Sequence, residues 1–75
     1  MQGGDIITIN NDELTALRDR AGIPGDRALA EELGINYVTL WRTRKGHTGP
    51  SGTFTRAMFR RFPDEPEAIA RVIAA

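Results

Sequence analysis

Hydrophobic and polar positions follow a helical period of three to four residues along most of this chain. Apolar side chains recur in this way in five short segments, which we predict as helices at about 11–21, 27–33, 37–45, 53–62 and 65–74. Gly22, Gly34 and Gly46 follow the first three segments and Pro63 follows the fourth, and these residues commonly end helices. The pattern predicts an all-α fold, a compact bundle of about five short helices in one domain over residues 10–75.

The N-terminal residues 1–9 have a different character. The β-branched run DIITI at residues 5–9 predicts a short strand or arm. A single strand is not stable alone, so it must pair within the chain or across a dimer axis, or stay loose. The segment MQGGDIITIN lacks the basic and apolar regions of a signal peptide, and no apolar run reaches the roughly 20 residues of a membrane span. We therefore expect a cytoplasmic protein with no membrane partner.

Residues 29–46, LAEELGINYVTLWRTRKG, contain the most specific pattern in the chain. Two short helical segments meet at a glycine-centred turn, which is the arrangement of a helix-turn-helix. Ala30 is small where the two helices are expected to cross, and Gly34 permits a tight turn without a Cβ clash. Asp26 and Asn36 are expected to cap the two helices. The residues that we expect to pack this motif are Leu29, Ala30, Leu33, Gly34, Ile35 and Leu40.

Residues 28–46 resemble the helix-turn-helix of the Xre/Cro group, which includes the lambda-type phage repressors. In that group a small residue stands four positions before the turn glycine, one aliphatic residue follows the glycine, and another stands five positions later. The matching residues here are Ala30, Gly34, Ile35 and Leu40. Gly46 matches a glycine that commonly follows the recognition helix, whereas Thr43 stands where the family usually has a larger aliphatic residue. The resemblance implies a DNA-binding domain.

Charge is distributed unevenly, although the formal net charge is zero. All ten acidic residues lie outside residues 33–63. That segment carries six cations and hence a charge of +6, and the other residues, with four cations and ten acids, carry −6. The six cations are Arg42, Arg44, Lys45, Arg56, Arg60 and Arg61. This asymmetry indicates a polyanion as the partner of one face.

The third predicted helix is expected to read DNA. Leu40 and Thr43 face the core on a helical wheel, and the opposite side of the helix faces the major groove. The candidates for base contacts are Tyr37, Val38, Trp41 and Arg42. Arg42 is the preferred base reader because its forked guanidinium matches guanine O6 and N7, and a phosphate contact is its alternative role. For Trp41, packing against Tyr37 or the second helix is favoured over a DNA contact.

Contacts with the DNA backbone are expected on both sides of the groove. The candidates are Asn36, Thr39, Arg44, Lys45, His47, Arg56 and Arg60. Asn36 has an equally strong alternative role as the cap of the third helix. Arg56 and Arg60 stand four positions apart on the outer face of the fourth helix and are placed to clamp the backbone. Five or six such contacts would make affinity fall with salt at a log–log slope of about −0.9 per phosphate.

The last predicted helix carries the apolar residues Ile69, Val72 and Ile73. We favour a place for them in the core of the domain itself. The alternative is a homodimer contact, which the resemblance to lambda-type repressors supports. A dimer would read two half-sites about one turn of DNA apart.

Charge, motif and resemblance together predict a sequence-specific double-stranded DNA-binding transcription regulator, a small phage or mobile-element repressor of the Cro kind. The alternatives are an excisionase-like or partition DNA binder, and a helix-turn-helix protein-interaction module that binds sigma factor, polymerase or a toxin. An enzyme is not expected, because the chain has one histidine, no cysteine and no spaced carboxylate pair in an apolar setting. We expect no cofactor, no metal ion and no small-molecule substrate.

Overall fold

The computed structural model describes residues 9–73, and five α-helices follow one another in this part of the chain. They are α1 (Asn11–Arg20), α2 (Asp26–Leu33), α3 (Tyr37–Lys45), α4 (Gly52–Arg61) and α5 (Pro66–Ile73). The all-α fold predicted from the hydrophobic pattern is confirmed. Both ends of α1 to α4 and the start of α5 lie within one residue of their expected positions. The strand or arm expected at residues 1–9 lies outside the described residues, apart from Ile9.

Local side-chain hydrogen bonds explain why three of the helices begin where they do. A side-chain oxygen accepts a hydrogen bond from a backbone N–H two or three residues further on, and the residues that cap in this way are Asn10, Asn36 and Ser51. Helix α2 begins differently, because Gly25 is its N-cap and makes no side-chain bond. The expectation that Asp26 caps α2 is therefore wrong. Asp26 is the first residue of the helix, and its carboxylate binds arginines.

The hydrophobic core receives side chains from all five helices. Its largest fully buried apolar members are Leu14, Leu17, Leu29, Leu33, Leu40, Phe54, Met58, Ile69 and Val72. Helix α1 packs against α5, and α2 packs against both α3 and α4. Helix α2 therefore links its neighbour across the Gly34 turn, α3, to helix α4. No helix within residues 9–73 combines the length and the apolar character that crossing a membrane requires.

Helix α5 completes this core. Ile69 and Val72 have no exposed surface, and Ile73 lies partly buried at the edge. The backbone N–H of Asn10 donates to the carbonyl of Val72 over 2.7 Å, which ties the start of α1 to α5. Ile69 and Val72 are therefore core residues, as favoured from the sequence. Packing within the single chain accounts for these two side chains without a second subunit, and a dimer contact that includes the partly buried Ile73 stays a prediction.

Candidate nucleic-acid interface

A glycine elbow joins α2 to α3 through residues 34–36. Gly34 adopts the left-handed conformation with φ of 72°, which strains a residue that carries a Cβ atom. Its N–H donates to Glu31 O over 3.1 Å, and the N–H of Ile35 donates to Ala30 O over 3.0 Å. This pair of bonds is a Schellman motif, which satisfies the last carbonyls of α2 and turns the chain sharply into α3.

The inner side of α3 packs into the fold through Leu40 and Thr43, which are both buried. The residues expected to pack the motif lie as follows: Leu29, Ala30, Leu33 and Leu40 in the core, Ile35 partly buried against it, and Gly34 at the elbow. The Thr43 hydroxyl donates to the carbonyl of Thr39 over 2.9 Å. Threonine at this core position therefore leaves no unpaired hydroxyl group, because its own helix provides the acceptor.

The opposite side of α3 is exposed and carries no acidic residue. We define this outer face as Val38, Trp41, Arg42 and Lys45. Val38 is 53% exposed and Trp41 is 43% exposed, which are high values for large apolar side chains. Neither Arg42 nor Lys45 forms an ion pair with any residue between 9 and 73. Thr39 is also exposed on this helix, beside Val38. The outer face is thus positively charged and partly apolar.

Trp41 stacks on His47, which lies in the loop after α3. The two ring centroids are 5.4 Å apart, and the ring planes are inclined by 20°. Lys45 Nζ lies 6.0 Å from the indole centroid. The aromatic partner of Trp41 among residues 9–73 is therefore His47 and not Tyr37, which differs from the packing favoured from the sequence. Trp41, Arg42 and His47 line an open depression of about 400 Å³.

Arg44 lies on the same helix but points into the protein. Its side chain is 14% exposed, and its Nε lies 2.8 Å from Asp26 Oδ2, off the direction of a good hydrogen bond. Nη2 donates to Asp26 Oδ1 over 3.0 Å and to Thr15 Oγ1 over 3.2 Å. Nη1 donates to Asn11 Oδ1 over 3.0 Å, and the Asn11 amide donates to the Arg44 carbonyl over 2.8 Å. Arg44 is therefore occupied by internal partners and is not available for the phosphate contact expected from the sequence.

Two further arginines of the basic segment contact the end of α2. Arg60 Nη2 donates to the carbonyl of Leu33 over 2.6 Å, although the residue remains exposed. Arg61 Nε pairs with Glu32 Oε1 over 2.6 Å. Arg56 is exposed and has no ion-pair partner within residues 9–73. Of the two arginines expected to contact the DNA backbone, only Arg56 lacks an internal partner among residues 9–73. Arg60 instead binds the last carbonyl of α2, beside the elbow.

One cation beside α3 was not recognised from the sequence. The Arg27 guanidinium lies 4.5 Å from the centroid of the half-buried Tyr37 ring. These residues border an open depression of about 420 Å³, which is lined by Pro24, Gly25, Asp26, Arg27, Ala28 and Tyr37. Arg27 and Tyr37 are ten positions apart across the elbow, so no local pattern connects them.

Internal pairing therefore divides the cations of residues 33–63 into two groups. Arg44, Arg60 and Arg61 bind acceptors inside the protein, whereas Arg42, Lys45 and Arg56 do not within the described chain. The free cations lie on the outer face of α3 and on α4. No protein-family model, no curated protein and no solved structure matches this chain.

Proposed function

We propose that this chain binds double-stranded DNA through the outer face of α3. The observation that supports this most strongly is that Arg42 and Lys45 have no ion-pair partner among residues 9–73. They lie beside two exposed apolar side chains, on a helix whose other side is buried. A major groove about 12 Å wide admits an α-helix presented in this way. The biological role that fits a small domain of this kind is sequence-specific transcription regulation, as by a phage or mobile-element repressor of the Cro kind.

Each exposed group on this surface has a chemical counterpart on DNA. Arg42 pairs in a forked arrangement with guanine O6 and N7, and Val38 meets a thymine methyl group. Trp41 lies against sugar or base edges. Lys45 and Arg56 contact phosphates on the two sides of the groove. The Asn36 side-chain oxygen caps α3, and its amide nitrogen can still donate to a phosphate.

The electrostatics of this surface favour a polyanion. Residues 33–63 contain no acid, so a phosphate near Arg42 or Lys45 meets no repelling carboxylate from that segment. Counterions released from the DNA then contribute to affinity. Under this proposal the chain binds and does not catalyse. If a homodimer forms on DNA, it uses a surface other than Ile69 and Val72, which are buried.

Selection of bound genomic fragments, followed by footprinting, tests the proposal. The native chain should enrich a defined sequence, and the spacing of the footprint will distinguish one half-site from two. The same footprints separate a repressor from an excisionase-like or partition protein, since these differ in where their sites lie.

Two substitutions separate base reading from phosphate binding. Arg42→Ala should relax sequence preference at one position and weaken the preferred site by about 1–3 kcal/mol. Arg56→Ala should weaken all sequences alike and reduce the salt slope by about 0.9. Arg71→Ala is a matched control, because it removes an exposed arginine on α5 that pairs with Glu13. If Arg42→Ala and Arg56→Ala bind as the native chain does, the proposed interface is wrong.

A protein-interaction module is a second candidate, favoured by one observation. Phe59 on α4 is 44% exposed, and a DNA reader has no evident need of it. Phe59→Ser should leave DNA binding unchanged if the chain is a DNA-binding protein. Two results together would favour the second candidate. The native chain would bind purified RNA polymerase, with this binding lost in Phe59→Ser, and it would show no detectable DNA binding at low salt.

A further inference from the structure

Two of the three large apolar side chains that are exposed within residues 9–73 lie together on α3. Val38 and Trp41 are three positions apart, so they are neighbours on one face of the helix. Arg42 stands one turn after Val38 and lines one depression with Trp41. We name Val38, Trp41 and Arg42 the reading cluster. It places two exposed apolar side chains next to a guanidinium that has no ion-pair partner in the described chain.

The indole ring of this cluster is held by the chain that follows α3. Gly46 ends the helix in the left-handed conformation with φ of 79°, and the N–H of His47 donates to Arg42 O over 3.0 Å. This turn brings the imidazole against the indole, with the ring centroids 5.4 Å apart and the planes inclined by 20°. Stacking covers part of the indole, yet Trp41 keeps 43% of its surface exposed. The ring is thus positioned by the fold and still accessible to a ligand.

The major groove offers a counterpart to each part of the reading cluster. The guanidinium of Arg42 matches guanine O6 and N7. Trp41 is displaced from Arg42 by only about 1.5 Å along the helix axis, and neighbouring base pairs are about 3.4 Å apart. Because Arg42 occupies the guanine edge of one base pair, the apolar side chains meet the pair beside it. The apolar group that a base pair presents in this groove is the C5-methyl group of thymine, and an unmodified cytosine has only a hydrogen atom there.

We propose that Val38 and Trp41 bind the C5-methyl group of a pyrimidine beside the guanine that Arg42 reads, so that DNA binding responds to cytosine methylation at that position. This inference rests on the proposed function and adds a specificity to it. Thymine and 5-methylcytosine both carry this methyl group, whereas cytosine and uracil do not. Burial of one methyl group between apolar side chains should tighten binding about three- to fivefold.

Removal of single methyl groups from a bound duplex tests the proposal. Selection from a random duplex library gives a preferred duplex, and each of its thymines is then replaced singly by deoxyuridine, which lacks only the methyl group. One replacement should weaken binding about three- to fivefold. It should lie beside the guanine whose preference is lost in Arg42→Ala. When that thymine pair is changed to a C·G pair, methylation of the cytosine should tighten binding by about the same factor.

The readout for the variants is the ratio of affinities for two duplexes that differ only in this methyl group. Val38→Ala and Trp41→Ala should each bring the ratio close to one. Thr39→Ala is the matched control, because Thr39 is exposed on the same helix outside the reading cluster, and it should keep the native ratio. Far-ultraviolet circular dichroism of each variant establishes that the fold is retained.

Three results would overturn the proposal. If the native chain selects a defined sequence but no single deoxyuridine weakens its binding, the methyl contact is wrong and the proposed function stands. The same conclusion follows if the native ratio persists in both Val38→Ala and Trp41→Ala. If the native chain binds no duplex at low salt, both the methyl contact and the proposed function are wrong.

Discussion

Arg44 in α3 places its Nε 2.8 Å from Asp26 Oδ2 at the start of α2, and the two residues are 18 positions apart in the sequence. The same guanidinium binds Asn11 and Thr15 in α1. Helix α3 buries only Leu40 and Thr43, so its apolar anchorage is small. This polar network therefore provides much of what orients α3 against the other helices.

Loss of the Arg44 network should destabilise the fold. Arg44→Met keeps most of the aliphatic chain but removes the hydrogen bonds to three residues, and we expect the free energy of unfolding to fall by about 2 kcal/mol. Asp26 keeps one partner in this variant, because Arg18 still donates to its carboxylate over 2.9 Å. The loss of stability is therefore smaller than for a buried carboxylate that has no partner. Urea denaturation followed by circular dichroism measures this change.

The matched control for that experiment is Arg56→Met. Arg56 is exposed and has no ion-pair partner within the described residues, so its substitution should change stability by no more than about 0.5 kcal/mol. Equal and small losses in the two variants would mean that the contacts of Arg44 contribute no net stability.

The elbow glycine should be more costly to replace than another glycine of the same conformation. Gly22 and Gly34 both have positive φ, of 75° and 72°, so an alanine at either position costs about 1–2 kcal/mol. Space around Gly22 is open, whereas a Cβ atom on Gly34 would lie 3.1 Å from Arg60 Nη2. That contact requires the Arg60 guanidinium to shift by a few tenths of an ångström, which should weaken its hydrogen bond with Leu33 O and cost up to about 1 kcal/mol more. Thermal or urea unfolding of the two variants provides the comparison, and equal losses would show that Arg60 does not support the elbow.

The salt dependence of DNA binding should reflect only the unpaired cations. Arg42, Lys45 and Arg56, with Arg27 beside Tyr37, predict a log–log slope of about −3 to −4. All six cations of the basic segment together with Arg27 would instead produce a slope of about −6. Binding isotherms at several salt concentrations measure the slope. The steeper value would mean that Arg44, Arg60 and Arg61 leave their internal partners when DNA binds.

Substitutions in α5 should reduce the stability of the monomer and should not act through a dimer contact. Ile69 is fully buried, so Ile69→Ala should reduce the free energy of unfolding by about 2–5 kcal/mol. Ile73→Ala should cost less, because Ile73 is only partly buried. If α5 makes no dimer contact, the unfolding midpoint of the native chain should not depend on protein concentration. A midpoint that rises with concentration and loses this dependence in Ile69→Ala would restore α5 as a dimer contact.

Much of the fold could be predicted because the relevant signals are local. Asn36 caps a helix through a bond to a residue two positions away, and Gly34 ends one through bonds within the preceding turn. The apolar stripe that includes Leu40 follows directly from helical periodicity. One local prediction was wrong, the cap at Asp26, because two arginines from other helices bind that carboxylate instead.

The candidate site was less predictable, because the availability of a cation depends on what the fold brings near it. Arg42 and Arg44 differ little in sequence context, yet one is exposed and the other lies among acceptors from α1 and α2. Arg60 reaches a carbonyl 27 positions away. Trp41 was expected to pack against Tyr37 or the second helix, and the turn at Gly46 instead places His47 against it.

By itself, then, the sequence determined the helices, their ends, the elbow and the segment that holds the positive charge. These depend on bonds and side-chain spacing within a few residues, which are visible along the chain. Only the tertiary structure decided which cations stay free to meet a ligand. Pairing of charges requires closeness in space, and the acceptors of Arg44, Arg60 and Arg61 come from helices that are distant in sequence.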